Sequence, residues 1–388
     1  MRVIKNGVLV LEDQLIDGYH LVMEGDRIIG IDNKEIDSEA EVFDAEGAYV
    51  MPGFIDIHSD YIERMISPRP TVMMDFSWSL KEVERILLGH GITTMYHSLS
   101  LYKVETFGSK QIRQLDNALR LIDTIDSYSK QSALLHHRVH ARLELDYLSV
   151  VDDVLRLIDE RKIQLLSFMD HTPGQGQYRD IEIYRKSIGG YHDKTETEID
   201  ELIQTRINTA LMTEETIRMI AEKALAAKIP LASHDDDTLA KVDLMESMGC
   251  TISEFPITLE VAKDAARRGL ATVAGAPNVL LGQSHSGNLS ALEGISARSI
   301  QILCSDYYPS SLVSALFKIK EVCRWQLPEV VKLLTLNPAK ALGEDDRLGS
   351  LQIGKQADVL IVRHDEGYSS VQMVFVSGNP VFSMGVQR

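Results

Sequence analysis

The sequence predicts an α/β protein built on a closed (β/α)8 barrel of the TIM type, with a small β-domain formed by both chain ends. Eight apolar, β-branched runs alternate with amphipathic stretches, as expected for the strands and helices of a parallel sheet. Short strand-like runs separated by Asn-Gly, Asp-Gly and Gly-Asp precede residue 49, and further runs follow residue 348. We therefore expect the chain ends to form a small sheet and the middle to form the barrel.

The predicted barrel strands are residues 49–58, 92–98, 134–145, 163–171, 229–234, 250–255, 270–276 and 300–306. Helical periodicity is clearest in residues 80–88, 112–125, 151–160 and 214–227. The long connection 172–213 is rich in charge and weakly helical. We expect this connection to form a lid or a substrate-specific insertion.

Composition limits the classes of partner. The 388 residues are 44% hydrophobic, enough for one large barrel core and a small accessory domain. The formal net charge of −17 argues against nucleic acid or an anionic membrane as the main partner. Cys250, Cys304 and Cys323 show no Cys-x-x-Cys spacing, so we expect no disulfide framework. A signal-peptide core and a bilayer-spanning apolar run are both missing, which predicts a cytoplasmic protein.

Polar residues fall where several predicted strands end. The first run ends in His-Ser-Asp, and alternation along a strand places His58 and Asp60 on one face. His171, His234 and Asp306 end three other runs, and a barrel brings the C-terminal ends of its strands together. One histidine at a strand end is usually a structural residue, but this many imidazoles and carboxylates at separate ends predict a divalent-metal site.

The third predicted strand carries a second polar face. His140, Arg142 and Glu144 alternate with apolar neighbours and therefore share one side of the strand. On an inward face, Glu144 could bridge two cations and Arg142 could clamp a phosphate. The alternative is a solvated ion pair on an outward face, but the apolar alternates suit contact with the surrounding helices. We therefore favour the inward orientation.

Two glycine-containing loops follow predicted strands on the same side. Residues 170–177 and 282–288 offer backbone N–H groups, hydroxyls and amides that suit an oxyanion, although such stretches are more often plain turns. Asp306 is the candidate general base, because a carboxylate beside a metal-bound water can accept its proton.

Two motifs at opposite ends of the chain resemble the metal-dependent amidohydrolase superfamily. They are Pro-Gly-Phe-Ile-Asp-x-His, which ends at His58, and Gly-x-Leu-x-x-Gly-Lys-x-Ala-Asp, which ends at Asp358. The resemblance implies a small β-sandwich of residues 1–49 plus 348–388 around a barrel of residues 50–347. It also assigns Asp306 the superfamily role of the aspartate that ends the eighth strand.

Further segments are similar to the PhnM family, which acts in the carbon–phosphorus lyase pathway. Among them are Asp56-Ile-His-Ser-Asp-Tyr-Ile-Glu-Arg64, His140-Ala-Arg-Leu-Glu144 and Ser284-His-Ser-Gly-Asn288. The resemblance implies hydrolysis of α-D-ribose 1-methylphosphonate 5-triphosphate to the 5-phosphate and diphosphate. Metal-activated water would attack the α-phosphorus, and cations and arginines would stabilise the charge on the leaving diphosphate.

This reaction sets the expected site. The predicted metal ligands are His58, Asp60, Glu144, His171, His234 and Asp306. One or two divalent ions would be bound, with zinc as the first choice and manganese or iron as alternatives. The predicted substrate-binding residues are Arg69, Arg142, Arg179, His285 and Asn288. We expect a small phosphorylated substrate, no nucleic-acid or membrane partner, and a homo-oligomer.

One departure from the family leaves the exact substrate open. PhnM proteins usually have histidines where this chain has Tyr61 and Met65. A deaminase or cyclic-amide hydrolase on the same scaffold is therefore an alternative. An uncharged amide gives no reason for arginines near the metals, so the composition of the pocket discriminates between these functions. A non-catalytic scaffold is a further alternative, which the intact set of candidate ligands disfavours.

Overall fold

The computed structural model describes residues 1–69, 71–102, 111–131, 133–182, 184–185, 195–284, 287–365 and 367–385. Within these residues the chain forms an eight-stranded parallel barrel and two smaller sheets of four and six strands. Both smaller sheets are built from the chain ends. The predicted barrel with a small β-sandwich from the termini is confirmed.

The N-terminal segment supplies seven strands in the described part of the chain. These are β1 (Arg2–Lys5), β2 (Val8–Val10), β3 (Leu15–Ile16), β4 (His20–Glu24), β5 (Arg27–Asp32), β6 (Glu41–Asp44) and β7 (Tyr49–Pro52). The four-stranded sheet has the order β5-β4-β1-β6.

All eight predicted barrel strands are present among the described residues. They are β8 (Phe54–Ser59), β9 (Ile92–Leu101), β10 (His136–Glu144), β11 (Leu165–Met169), β12 (Leu231–His234), β13 (Ile252–Glu254), β14 (Ala271–Gly275) and β15 (Ile302–Cys304). Each strand pairs in parallel with the next along the chain. A parallel bridge between Ser59 and Asp306 joins the last strand to the first.

The C-terminal segment adds β16 (Val359–Asp365), β17 (Tyr368–Val376) and β18 (Asn379–Ser383). With N-terminal strands they form the second small sheet, in the order β18-β17-β16-β7-β2-β3. Apolar side chains from both small sheets, including Leu21, Ile28, Val359 and Phe375, pack in one buried cluster. Burial of this apolar surface is what holds the two sheets face to face.

Helices cover the barrel, as the alternating pattern predicted. Those described are α1 (Tyr61–Ile66), α2 (Phe76–Gly89), α3 (Leu115–Ser129), α4 (Val151–Asp159), α5 (Glu196–Ile207), α6 (Glu214–Ala226), α7 (Leu239–Ser247), α8 (Leu259–Arg267), α9 (Ala276–Leu281), α10 (Ala291–Ser296), α11 (Ser311–Cys323), α12 (Leu327–Val331) and α13 (Leu336–Ala341). None of these helices is long and apolar enough to cross a membrane.

Helix α5 lies in the connection for which a lid was predicted. Thr195 begins it with a capping box, in which its side chain and that of Glu198 satisfy backbone N–H groups reciprocally. Ile199 and Ile203 pack against the buried Tyr184. Residue 183 and residues 186–194 of this connection lie outside the described residues, and its role as a lid stays a prediction.

The first predicted run, residues 49–58, contains two strands rather than one. β7 pairs with β16 in the terminal sheet, whereas β8 pairs with β9 in the barrel. Gly53 lies between them, and an ideal Cβ at this position would be 2.2 Å from Thr93 Oγ1. Only glycine permits so close an approach between the segment at residue 53 and β9. The predicted boundary after residue 49 therefore falls inside β7, and the division into domains stays a prediction.

We predict that Gly53→Ala lowers the free energy of unfolding by roughly 1–3 kcal/mol, the usual cost of inserting an atom into a packed site. The new Cβ would also meet Thr93 Cγ2 and Cβ, at 2.5 and 2.8 Å. Chemical denaturation measures the change. Gly30→Ala is the control, because its Cβ would meet nothing nearer than 3.5 Å and should alter stability little. Equal stability of Gly53→Ala and the parent would show that the close approach is not required.

Candidate metal centre

A cavity of about 550 Å³ opens where the barrel strands end. Its walls include all six residues that the sequence predicted as metal ligands: His58, Asp60, Glu144, His171, His234 and Asp306. These side chains come from five different strand ends, so the barrel fold is what brings them together. Arg142 and Asn288, predicted to bind substrate, also line the cavity.

The strand ends turn sharply at this face. Asp235, Phe255 and Asp306 each follow a barrel strand and have φ between 53° and 56°, in the left-handed region that non-glycine residues rarely adopt. Each residue donates its backbone N–H to a neighbouring strand end: Asp235 to Glu254 O, Phe255 to Val273 O and Asp306 to His58 O, at 2.8–3.0 Å. These hydrogen bonds stabilise strained turns that direct side chains into the cavity.

One group of candidate donors contains His58, His140 and Glu254. His58 Nδ1 lies 2.9 Å from Glu254 Oε1, and His140 Nε2 lies 3.8 Å from Glu254 Oε2. His140 Nδ1 is 3.1 Å from the carbonyl oxygen of Ile57, which fixes the orientation of its ring. Burial lowers the pKa of His140 to about 3 and that of His58 well below its usual value. Both imidazoles are therefore neutral, the form that binds metal.

A second group contains His171, His234 and Asp235. His234 Nδ1 lies 3.0 Å and His171 Nε2 lies 3.6 Å from Asp235 Oδ2, while His171 Nδ1 contacts Glu144 Oε1. Burial alone would lower the pKa of His171, but the carboxylates of Glu144 and Asp235 outweigh burial and raise it. Burial would likewise raise the pKa of Asp235, but His234 and then His171 lower it to about 2.

The buried oxygens Asp60 Oδ1 and Glu254 Oε2 have no hydrogen-bond partner among the described residues. Buried charged groups are costly unless they are paired or coordinate a metal. Imidazole nitrogens and carboxylate oxygens are ligands for zinc, manganese and iron. The donor set therefore fits a divalent cation.

Arg113 holds the carboxylates on the first turn of α1. Its Nη2 donates to Asp60 Oδ2 at 3.1 Å, and its Nε donates to Glu63 Oε2 at 2.6 Å. This pairing leaves Asp60 Oδ1 directed away from the arginine and without a partner. Across the cavity, burial and the nearby charge of Asp60 raise the pKa of Asp306 to about 7.

The other predicted substrate-binding residues differ in position. Arg69 and Arg179 are exposed and do not line the cavity. Arg69 lies beyond the end of α1, and Arg179 directly follows a short helical turn. His285 lies outside the described residues. Arg142 donates Nε to Met169 Sδ at 3.1 Å and places Nη2 3.4 Å from His234 Nε2.

Sequence reasoning did not select Glu254, His140, Asp235 or Arg113 for the site. Glu254 and Asp235 stand at or beside predicted strand ends, so the criterion that selected His234 would also have found them. His140 shares a predicted face with Arg142 but lies two residues before it on β10, further from the C-terminal end of the strand. Arg113 ends a short 3-10 helix of residues 111–113 just before α3, so a search for polar residues at strand ends does not select it.

The two departures from the PhnM pattern lie away from the cavity. Tyr61 and Met65 are partly buried and pack against the main hydrophobic core. They share one side of α1, because residues four apart on a helix are neighbours. Asp60, Glu63 and Arg64 line the cavity instead. The loss of the two histidines therefore removes no side chain from this cavity.

Comparisons with known proteins identify the family of this chain. The amidohydrolase family model matches residues 179–381. Alpha-D-ribose 1-methylphosphonate 5-triphosphate diphosphatase of Escherichia coli K12 is 33% identical over 385 residues, covering 98% of this chain and 100% of that protein. The imidazolonepropionase of Picrophilus torridus is 22% identical, covering 94% of this chain and 90% of that protein.

Solved structures agree on the fold. D-hydantoinase superposes with a TM-score of 0.66 at 15% identity, covering 98% of this chain and 94% of that one. N-acetylglucosamine-6-phosphate deacetylase from Pasteurella multocida gives a TM-score of 0.61 at 15% identity, covering 98% and 99%. Both the family model and the full-length similarity to the diphosphatase lead to one conclusion: the chain belongs to the amidohydrolase family and, within it, to the PhnM group of hydrolases.

Proposed function

We propose that this protein is a metal-dependent diphosphatase that hydrolyses α-D-ribose 1-methylphosphonate 5-triphosphate to the 5-phosphate and diphosphate. The observation that carries the proposal is one cavity that combines buried metal donors with arginines. The similar protein from Escherichia coli is named for this reaction. Because so highly charged a substrate does not cross a bilayer unaided, we place the enzyme in the cytoplasm.

The charge of the cavity explains why cations are needed. Among the described lining residues, five carboxylates face three arginines: Asp60, Glu63, Glu144, Asp235 and Asp306 against Arg64, Arg113 and Arg142. The chain as a whole carries a formal charge of −17. A triphosphate entering this field would be repelled unless divalent ions offset the excess of carboxylates. An uncharged cyclic amide would not require the arginines.

The proposed ligands are the six predicted residues, with Glu254 and Asp235 added from the structure. Their imidazole and carboxylate donors suit zinc, with manganese or iron as alternatives, and the two groups of donors give room for one or two ions. A bound divalent ion would polarise water and stabilise charge on phosphate oxygens. His140 is not among the proposed ligands, because its ring nitrogens lie 3.1 Å from Ile57 O and 2.9 Å from Ser167 Oγ.

Asp306 is the proposed proton acceptor. Its carboxylate lies at the closing seam of the barrel, faces the cavity and has a pKa raised to about 7 by burial and by Asp60. A group with a pKa near neutrality can take a proton from water and release it again. Arg142 would contact the phosphate oxygens, since no carboxylate in the described part of the chain forms an ion pair with it. It is also held in place by Met169.

We predict that Glu254→Gln weakens metal binding by roughly 10–100-fold, because it removes a buried negative charge that contacts His58. Elemental analysis and titration with zinc would measure the change. Glu84→Gln is the matched control: Glu84 is also buried but accepts hydrogen bonds from His137 and Tyr128, outside the cavity. It should cost stability and leave metal content unchanged. Parental metal affinity in Glu254→Gln would exclude a role for this carboxylate.

We predict that Asp306→Asn lowers turnover roughly 10²-fold or more, because a positioned proton acceptor contributes about that much. The variant should fold, since asparagine is nearly isosteric and tolerates the left-handed backbone found at this position. Steady-state kinetics at equal metal content would test this prediction. Turnover within a few-fold of the parent would mean that another group takes the proton.

The position of attack can be read from the products. Hydrolysis in ¹⁸O-labelled water should place the label in the ribose 1-methylphosphonate 5-phosphate, because water attacks the α-phosphorus and diphosphate leaves. Phosphorus NMR or mass spectrometry of both products would locate the label. Label in the diphosphate would indicate attack at the β-phosphorus. Turnover of an amide or amidine, with no hydrolysis of phosphoanhydrides, would overturn the proposed function.

A further inference from the structure

Arg64 is the exposed one of the three arginines that line the cavity, whereas Arg113 and Arg142 are half-buried. The guanidinium carbon of Arg64 lies 5.6 Å from the centroid of the Tyr307 ring, next in sequence to the proposed base Asp306. The residue is exposed and lines the cavity, which places it at the rim. Among the described residues no carboxylate forms an ion pair with it, whereas Arg113 is held by Asp60 and Glu63.

Helix α1 fixes the direction in which Arg64 points. Ile62 and Ile66 are fully buried, and Tyr61 and Met65 pack against the same hydrophobic core. These contacts prevent rotation of this short helix about its axis. The remaining side faces the cavity, and Arg64 is the cation on that side.

The surroundings of Arg64 suit an anionic ligand. A guanidinium above an aromatic ring is held by attraction to the π face, while its N–H groups stay free to donate in their own plane. These N–H groups match two oxygens of a phosphate or phosphonate in a bidentate contact. With no carboxylate paired to it, binding an anion breaks no existing ion pair.

We propose that Arg64, oriented by α1 and stacked on Tyr307, forms an anion subsite for a phosphate or phosphonate group of the substrate away from the scissile α-phosphorus. This inference rests on the proposed function. The substrate carries such a group on each side of the α-phosphorus, namely the leaving diphosphate and the methylphosphonate on the sugar. Both groups present a pair of negatively charged, non-bridging phosphoryl oxygens to a guanidinium, so binding of each product separately tells them apart.

The test compares Arg64→Ala with Arg120→Ala in the metal-loaded protein. Arg120 is a matched control, because it is exposed and stacks on Phe76 at 4.8 Å but lies outside the cavity. Arg64→Ala should raise KM about 10-fold or more, as expected for losing a charged hydrogen bond, with kcat changed less. Arg64→Lys should recover part of the affinity, because lysine keeps the charge without the bidentate geometry. Arg120→Ala should match the parent.

Product binding, measured by calorimetry, identifies the group. Weaker binding of inorganic diphosphate to Arg64→Ala, by about 10-fold or more, would assign the subsite to the leaving group. Weaker binding of α-D-ribose 1-methylphosphonate 5-phosphate alone would assign it to the phosphonate. Parental affinity for both products would overturn the proposal. Since calorimetry needs no turnover, an inactive parent that still binds diphosphate through Arg64 would contradict the proposed function and leave the subsite standing.

Discussion

The seam between the first and last barrel strands is the constraint on which the site depends. Asp306 donates its backbone N–H to His58 O at 3.0 Å, and Asp60 donates to Asp306 O at 3.1 Å. Beneath them, Asp56 Oδ1 lies 3.1 Å from Ser305 N and 3.3 Å from His58 N. The hydrogen bonds that close the barrel are thus the ones that bring the candidate ligands of its two ends together. A barrel that failed to close would have no such centre.

The fold also holds strain at this face. Phe255 is a bulky aromatic residue with φ of 55°, a conformation that costs about 1–3 kcal/mol. Its ring contacts the rings of both His58 and His234, with centroids 4.9 and 5.2 Å away. The left-handed turn is what allows this aromatic side chain to wedge between two candidate ligands. The ring of Phe255 thereby adds to the contacts of His58 with Glu254 and of His234 with Asp235 in restricting the two imidazoles.

The barrel could be predicted from sequence because its strands are buried on both faces and read as continuous apolar runs. Most of the candidate ligands could be predicted because an imidazole or a carboxylate stands where each of several apolar runs ends. The division of the first run into β7 and β8 at Gly53 could not be predicted, since a single apolar run does not reveal that its two halves pair in different sheets. Contacts between distant segments, such as Arg113 with Asp60, leave no periodic signal in either segment.

The arginine near the start of the barrel that lines the cavity is Arg64, although the sequence pointed to Arg69, which is a similar limit of prediction from sequence. Arg69 was predicted to bind substrate, but α1 ends before it and its side chain is exposed. The i, i+3, i+4 spacing of Asp60, Glu63 and Arg64 was a usable signal, because it places three charges on one side of a helix. This side of α1 is the one that lines the cavity.

The helical geometry of α1 also explains the departures from the family pattern at Tyr61 and Met65. In a family whose members usually carry histidines there, their absence suggests a lost ligand. Both side chains instead face the hydrophobic core, where burying apolar surface is favourable and a histidine would need a buried hydrogen-bond partner. Tyr61 and Met65 therefore help to anchor α1 against the barrel. The helix that carries Glu63 and Arg64 keeps its cavity side unchanged, which is why divergence at these positions is compatible with the same chemistry.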